Sequence, residues 1–237
     1  MLKSAARAPY ATPNISDADR KPVISAAGDP PTNAEPVKAV ASRALTLVRP
    51  SDRLRLLIEH RNAFNVPPVF TYSDIKHWFE DMSDTALRVM VNRQCQKGDV
   101  ISVVCHGVYQ VSNLDWSSRE ILVAAALKLR GERNVYLSLH SALPEYDKRP
   151  DLLVCVTSGR NFILRSEKHG VVAIKHTSAA LAKIRDSMVW DARLRCLKAD
   201  RQLAVADYHR HHQGLRSLLR EAGIPDDLPD ISAAGNT

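Results

Sequence analysis

The stretch SDTALRVMVNRQCQKGDVISVVCHGVYQVS, residues 83–112, changes its hydrophobic period at Gly98. Before this glycine, Leu87 and Val91 recur at helical spacing, and Ser83 is a typical N-cap residue. After it, the apolar residues no longer fit a helix, and two short β-type runs follow each other closely. The stretch therefore predicts a helix that ends at Gly98 and is followed directly by a two-stranded hairpin.

Two further helices are predicted upstream of this stretch. Ser51 can cap a first helix, whose apolar residues recur at i, i+3 and i+4, before Pro67 and Pro68 interrupt the chain. A short strand is expected at residues 69–70, and a second helix begins near Ser73. The order helix, strand, helix, helix and hairpin is that of a winged helix-turn-helix, in which the hairpin is the wing.

The third helix occupies the place of the recognition helix, which lies in the major groove of DNA. With its apolar stripe facing the core, a step of about 100° per residue places polar side chains on the opposite face. Arginine and asparagine bind guanine and adenine edges, and arginine also binds phosphate. The wing tip, residues 104–106, is also placed to touch DNA. The predicted DNA-binding residues are Thr85, Arg88, Val89, Asn92, Arg93, Gln96 and His106.

Charge is distributed unevenly along the chain, whose formal net charge is +7. Residues 45–116 carry eight basic and eight acidic side chains, which favours an alternative: a winged helix that binds a partner protein and no DNA. Residues 117–220 carry 19 basic against 10 acidic side chains. This excess is either an ordinary solvated surface or a second nucleic-acid contact. In the second interpretation, the contacts to phosphate come from Arg160, Arg165, Lys168 and Lys175.

The second half of the chain predicts a domain that mixes helices and strands. Three β-type runs, at residues 151–157, 161–166 and 171–177, are joined by turns of hairpin length, which predicts a small antiparallel sheet. Helices are expected from Ser117, from Ser178 to about Val189 and from Asp200. The predicted fold class is α+β, with a winged helix-turn-helix over residues 45–114 and a mixed α/β domain over residues 115–222.

The two ends of the chain differ from its middle in composition. Residues 1–44 hold six of the 13 prolines and have no apolar period, which predicts a flexible arm. Residues 223–237 are predicted to be an acidic tail. The chain has no apolar run of membrane-spanning length and no signal-peptide block, so we expect a cytoplasmic protein without a membrane partner.

The sequence contains no complete catalytic motif. Glu167 and Lys168 are adjacent after Asp151, where a metal-dependent nuclease core needs one residue between them. His209 and His212 share a helix face at i, i+3 spacing, and a metal-dependent enzyme built on this pair is a third hypothesis that lacks an obvious third ligand. We therefore predict a protein that is not an enzyme and has no cofactor and no metal.

Several segments resemble the AbiEi-type antitoxins of type IV toxin–antitoxin systems, which are abortive-infection systems of phage defence. GDVISVVCHGVYQV resembles the wing of that family, and RPDLLVCVT resembles one of its strands. KADRQLAVADYHRH resembles its late helix, with Asp207 at the place of a recurrent aspartate. NVYLSLHSAL resembles a further segment of the family, matched by Tyr136, Ser138, Ala142 and Leu143. The resemblance covers roughly residues 50–215 as an order of segments.

This resemblance implies a function in addition to a fold. It implies a transcriptional autorepressor whose winged helix binds inverted repeats in its own promoter, on double-stranded DNA. It implies that the second domain provides antitoxin activity against a nucleotidyltransferase toxin encoded alongside. In a type IV system the antitoxin opposes the action of the toxin without forming a stable complex with it.

Overall fold

The first part of the described chain contains three helices and a three-stranded sheet. Its elements are α1 (Pro50–Ala63), β1 (Val69–Thr71), α2 (Tyr72–Trp78), α3 (Asp84–Lys97), β2 (Ile101–Cys105) and β3 (Val108–Val111). The sheet is antiparallel, with the strand order β1-β3-β2. The predicted order of helices and strands is therefore the order found.

These elements come from a computed structural model, which describes residues 48–63, 66–144, 151–157, 159–224 and 231. The predicted arm lies outside the described residues, and so does most of the predicted tail. The described residues belong to one compact unit.

Helix α3 begins and ends where its capping residues predict. The hydroxyl of Ser83 accepts a hydrogen bond from the backbone N–H of Ala86 at 3.3 Å. Gly98 ends the helix with φ of 71°, in the left-handed region that glycine adopts without strain. Leu87 and Val91 are buried, and they fix which face of the helix remains exposed.

The second part of the described chain is built around a six-stranded sheet. Its elements are α4 (Ser118–Arg130), β4 (Val135–Leu137), β5 (Leu152–Val156), β6 (Phe162–Ser166), β7 (Gly170–His176), α5 (Leu181–Ile184), β8 (Met188–Asp191), β9 (Cys196–Ala199) and α6 (Arg201–Ala222). The strand order is β6-β7-β5-β4-β9-β8. Two sheets and segregated helices make the protein a mixed α+β structure, as predicted.

The prediction of a small antiparallel sheet in this part is wrong. Strand β5 pairs in parallel with β7, and β6 pairs antiparallel with the other side of β7. Every residue of β5 is buried. A strand that is buried on both faces is a continuous apolar run, and such a run does not indicate which strands lie beside it. Turns of hairpin length therefore suggested a meander, although β7 lies between β5 and β6.

The helix predicted from Ser178 to Val189 is also largely wrong. Only α5 and a short 3-10 turn form there, and β8 begins at Met188. Strand β8 is an edge of the sheet and pairs antiparallel with β9. The last two residues of the predicted helix, Met188 and Val189, therefore belong to a strand.

Apolar side chains cover both faces of the six-stranded sheet. Helix α4 packs on one face, where Leu122 and Leu152 are buried, and α6 packs on the other, where Leu153 and Leu203 are buried. The core under α4 also contains Val108 from β3 and further side chains of the small sheet. The two sheets therefore share one core, which fixes the β2–β3 hairpin against the second part of the chain.

A buried carboxylate connects α6 to the sheet. Asp207 is fully buried and accepts hydrogen bonds from the hydroxyls of Tyr136 at 2.8 Å and Ser138 at 2.7 Å. It also accepts one from Nη1 of Arg210 at 2.6 Å. Tyr136 lies on β4, an interior strand. Burial of a carboxylate is costly unless it is hydrogen-bonded in this way, so the contacts specify how α6 docks.

Replacement of Asp207 by alanine is expected to lower the free energy of unfolding by about 2–4 kcal/mol, because two buried hydroxyls lose their acceptor. Urea denaturation followed by circular dichroism measures the loss. Asp186→Ala removes an exposed carboxylate and is the control, for which a change within about 0.5 kcal/mol is expected. Equal stability of the two variants would show that the network does not hold α6.

Candidate nucleic-acid interface

One face of α3 is exposed from the start of the helix to its end. The predicted side chains of this helix, which are Thr85, Arg88, Val89, Asn92, Arg93 and Gln96, are all exposed. Helical geometry places Thr85, Asn92 and Gln96 along the middle of the face, with Arg88 and Arg93 on opposite flanks. The face therefore offers amide and hydroxyl groups between two guanidinium groups.

A first groove lies between α3 and the β2–β3 hairpin. It has a volume of about 530 Å³ and is lined by Tyr72, Arg88, Val91, Asn92, Val103, His106, Gly107 and Tyr109. The structure thus brings together three of the predicted residues, Arg88, Asn92 and His106. Sequence reasoning missed Tyr72 and Tyr109, because both depend on the pairing of β1 with β3.

Arg88 is held in place by the residues around it. Its Nε donates a hydrogen bond to Asp84 Oδ2 at 2.8 Å, and its Cζ lies 4.6 Å from the ring centroid of Tyr72. The Tyr72 hydroxyl donates to Asp84 Oδ1 at 3.2 Å, and Lys76 Nζ lies 3.4 Å from the same oxygen. The hydrogen bond from Arg88 is the main reason that the pKa of Asp84 is lowered. Asp84 is therefore ionised at neutral pH.

A second groove lies on the other side of α3, against the start of α1. It has a volume of about 560 Å³ and is lined by Arg49, Pro50, Ser51, Met90, Arg93, Gln94, Gln96 and Lys97. Arg93 and Gln96 therefore face a different groove from Arg88. The groove carries three basic side chains and, among these described lining residues, no acidic one. The N-terminus of α1 adds partial positive charge.

The predicted wing tip is only partly exposed. His106 is exposed, but Val104 is 2% exposed and packs in the core shared with α4. The prediction that residues 104–106 all touch DNA is wrong at Val104. Val104 lies at a β-bulge and packs with Val108 in that core, whereas Val103 pairs with Tyr109 before the bulge and is exposed.

The four residues of the predicted second basic surface do not share one region. Arg165 donates to the carbonyl oxygens of Glu221 and Ala222 at the C-terminal end of α6. Lys175 packs its Nζ over Gly214 of α6, where a Cβ would lie 2.8 Å from it. The side chains of Arg165 and Lys175 thus both contact α6.

Arg160 and Lys168 lie at opposite ends of β6, one before the strand and one after it. Lys168 lies beside the β2–β3 hairpin. It lines a third groove of about 340 Å³ together with Val103, Val104, Cys105, His106, Arg165 and Glu167. Of the predicted second surface, Lys168 and Arg165 are therefore the residues that adjoin His106.

The proposed histidine pair is engaged within its own helix. His212 Nδ1 lies 2.9 Å from the carbonyl oxygen of His209. In the part of the chain that the structure describes, no three side chains of His, Cys, Asp or Glu are grouped to hold a metal ion. None of the helices in the described ranges has the length and apolar character needed to cross a membrane.

The carboxyl group of Asp84 is expected to titrate below its ordinary value of 3.8, and Arg88→Ala is expected to raise the midpoint. Carbon-13 NMR of the side-chain carboxyls measures both. Because the folded-state pKa is lowered, the stabilisation from this contact is present above pH 3.8 and is lost as the pH falls through the folded-state pKa. Arg93→Ala removes the same charge from the other flank of α3 and is expected to leave the midpoint unchanged. Identical midpoints in both variants would contradict the contact.

Comparison with known proteins identifies no relative of this chain. No family model, no curated protein and no solved structure matches the chain. The resemblance to AbiEi-type antitoxins therefore stays an expectation drawn from the sequence segments quoted above.

Proposed function

We propose that residues 50–111 form a winged helix-turn-helix that binds double-stranded DNA. In this proposal α3 is the recognition helix and the β2–β3 hairpin is the wing. The observation that carries it is the exposed polar face of α3, which lies between two grooves whose described lining residues include no carboxylate. A helix about 10–12 Å wide fits the major groove of B-DNA, and the second groove then lies over a phosphate backbone.

The side chains divide into two groups by their place on this surface. Asn92 lies along the middle of the exposed face and Arg88 lies on the flank beside the first groove, and both are proposed to contact base edges, supported by Thr85 and Gln96. Arg93 lies in the second groove with Arg49 and Lys97, beside the N-terminus of α1, and this group is proposed to bind phosphate.

His106 and Lys168 adjoin each other across the hairpin. They are proposed to continue the phosphate contacts beyond the wing, which leaves Lys168 as the main contributor from the predicted second basic surface. Arg165 contributes less, because its guanidinium group already binds the end of α6.

The local charge of this surface supports DNA rather than a partner protein. Residues 45–116 are neutral as a whole, but several of their acidic side chains are paired away from the two grooves. Arg53 binds Asp81 at 2.8 Å and Arg55 binds Asp99 at 3.4 Å. The groove-lining residues themselves are basic or uncharged.

The alternative, a protein-interaction module without DNA binding, is favoured by one observation. Val89 and Val103 are 44% and 50% exposed on this side of the molecule. Exposed apolar side chains of this kind occur in protein interfaces. A protein that co-purifies with the chain, together with no DNA affinity at low salt, would favour this alternative.

A double variant, Arg88→Ala with Asn92→Ala, is expected to bind DNA from upstream of its own gene at least about tenfold more weakly, because two base contacts are lost. Gel-shift titration at fixed salt measures the affinity. The control variant, Lys183→Ala with Gln202→Ala, removes the same kinds of group from exposed positions of the second part. Equal affinity of the two double variants would remove the recognition-helix assignment.

We further propose that the chain is a cytoplasmic antitoxin and autorepressor of a type IV system. In this role it binds inverted repeats in its own promoter and opposes a nucleotidyltransferase toxin. The proposal rests on the resemblance to AbiEi-type antitoxins. It is supported by the meeting of Tyr136, Ser138 and Asp207, which are matched to three separate places in that family's segments, in one buried network.

Expression of the chain is expected to restore growth of cells that produce the nucleotidyltransferase encoded beside its gene. Affinity purification of the chain from the same cells is expected to recover no toxin, because a type IV antitoxin acts without a stable complex. Asp207→Ala, which is expected to destabilise the second part, should reduce the rescue, and Asp186→Ala should not. Rescue that requires a co-purifying toxin would replace the type IV assignment with a complex-forming one.

A further inference from the structure

An acidic side chain lies at the start of the proposed recognition helix. Asp84 is the first residue of α3, and its carboxylate contacts Arg88 Nε at 2.8 Å, Tyr72 Oη at 3.2 Å and Lys76 Nζ at 3.4 Å. A carboxylate at this place repels DNA phosphates and lowers affinity. Its cost to binding is understandable if it sets the direction of a side chain that binds a base.

The contact leaves one edge of the Arg88 guanidinium group available. A guanidinium group is planar and has five N–H donors in a fixed arrangement. Asp84 accepts from Nε, and the Tyr72 ring lies against one face of the plane. Within the part of the chain that the structure describes, Nη1 and Nη2 of Arg88 donate no other hydrogen bond. The pair of terminal nitrogens therefore remains free at an exposed position beside the first groove.

We infer that Asp84 is a positioning residue that makes Arg88 select a guanine. With Nε bound to Asp84, the two terminal nitrogens donate to O6 and N7 of a guanine in the major groove, which is the bidentate pairing that arginine forms with this base. The bound DNA therefore has a guanine at the position that faces the start of α3. This inference rests on the proposed function, and it adds the identity of one base in the bound DNA.

Asp84 also acts against a contact between Arg88 and phosphate, which competes with the contact between Arg88 and a base. Arginine binds phosphate as well as base edges, and a phosphate contact carries no sequence information. The carboxylate of Asp84 repels a phosphate group near Arg88, so that Arg88 keeps Asp84 as its partner. Asp84 thus lowers the affinity for all DNA and raises the preference for one base.

Selection from a random duplex library, with the full chain as bait, tests the inference. The natural protein is expected to enrich sequences that share a guanine at one fixed position. Asp84→Asn is expected to lose the preference at that position, to keep it elsewhere and to bind unselected DNA more tightly, since one negative charge is removed. Asp52→Asn removes a carboxylate from the first turn of α1 and is the matched control, which should keep the guanine.

A second measurement uses the selected duplex and removes N7 from the guanine by 7-deazaguanine substitution. The natural protein is expected to lose roughly 5- to 100-fold in affinity, and Asp84→Asn is expected to lose much less. Arg88→Met removes every N–H donor from this side chain, so the affinity of this variant should be insensitive to the substitution. This variant leaves Asp84 in place and does not depend on the folding of Asp84→Asn.

The outcomes separate the two proposals. Failure of the natural protein to enrich any sequence would overturn DNA recognition itself. Enrichment of one sequence by the natural protein and by both Asp84→Asn and Arg88→Met, with the guanine kept, would overturn the positioning of Arg88 and leave DNA recognition standing.

Discussion

The packing of α6 on the six-stranded sheet depends on the hydrogen bonds that the Asp207 carboxylate accepts. Asp207 lies in the first half of α6, a helix of 22 residues, and it binds hydroxyls of β4 and of the residue that follows this strand. Directly after Ser138, Leu139 is buried with φ of 57°, a conformation that costs a leucine about 1–2 kcal/mol. The hydrogen bond from Ser138 holds the chain at this turn. One polar group thus specifies both where α6 docks and how the chain leaves the sheet.

The six-stranded sheet in turn determines where the proposed DNA-contacting surface lies. Helix α4 covers one face of this sheet and packs at the same time on Val69, Val104 and Val108 of the small sheet. Because protein cores are close-packed, this shared core leaves little freedom for the hairpin to move relative to β6. His106 and Lys168 adjoin one another for that reason, although 61 residues separate them in the chain.

The charge at the proposed interface is determined by individual ion pairs and not by the composition of the segment. The first part of the chain is neutral by composition, yet ion pairs such as Arg53 with Asp81 neutralise charges outside the two grooves, which keep their basic residues. Asp84 is the exception, since it lies beside Arg88 and is held by three donors. The net charge of a segment therefore does not describe the local charge of a groove, which depends on the placement of each ion pair.

The sequence by itself determined the features that are set within a few residues. Ser83 and Gly98 fixed both ends of α3, and the spacing of Leu87 and Val91 fixed which of its faces is exposed, so the candidate DNA-binding residues on this helix followed from local physics alone. Only the tertiary structure decided the rest. The buried run of β5 did not indicate that β7 would pair with it in parallel, and the hairpin sequence did not indicate that Val104 would be buried in the core under α4. The ring of Tyr72 against Arg88 and the binding of Arg165 to the end of α6 likewise needed the fold. These contacts join residues far apart in sequence, and hydrophobic periodicity carries no information about which distant segments meet.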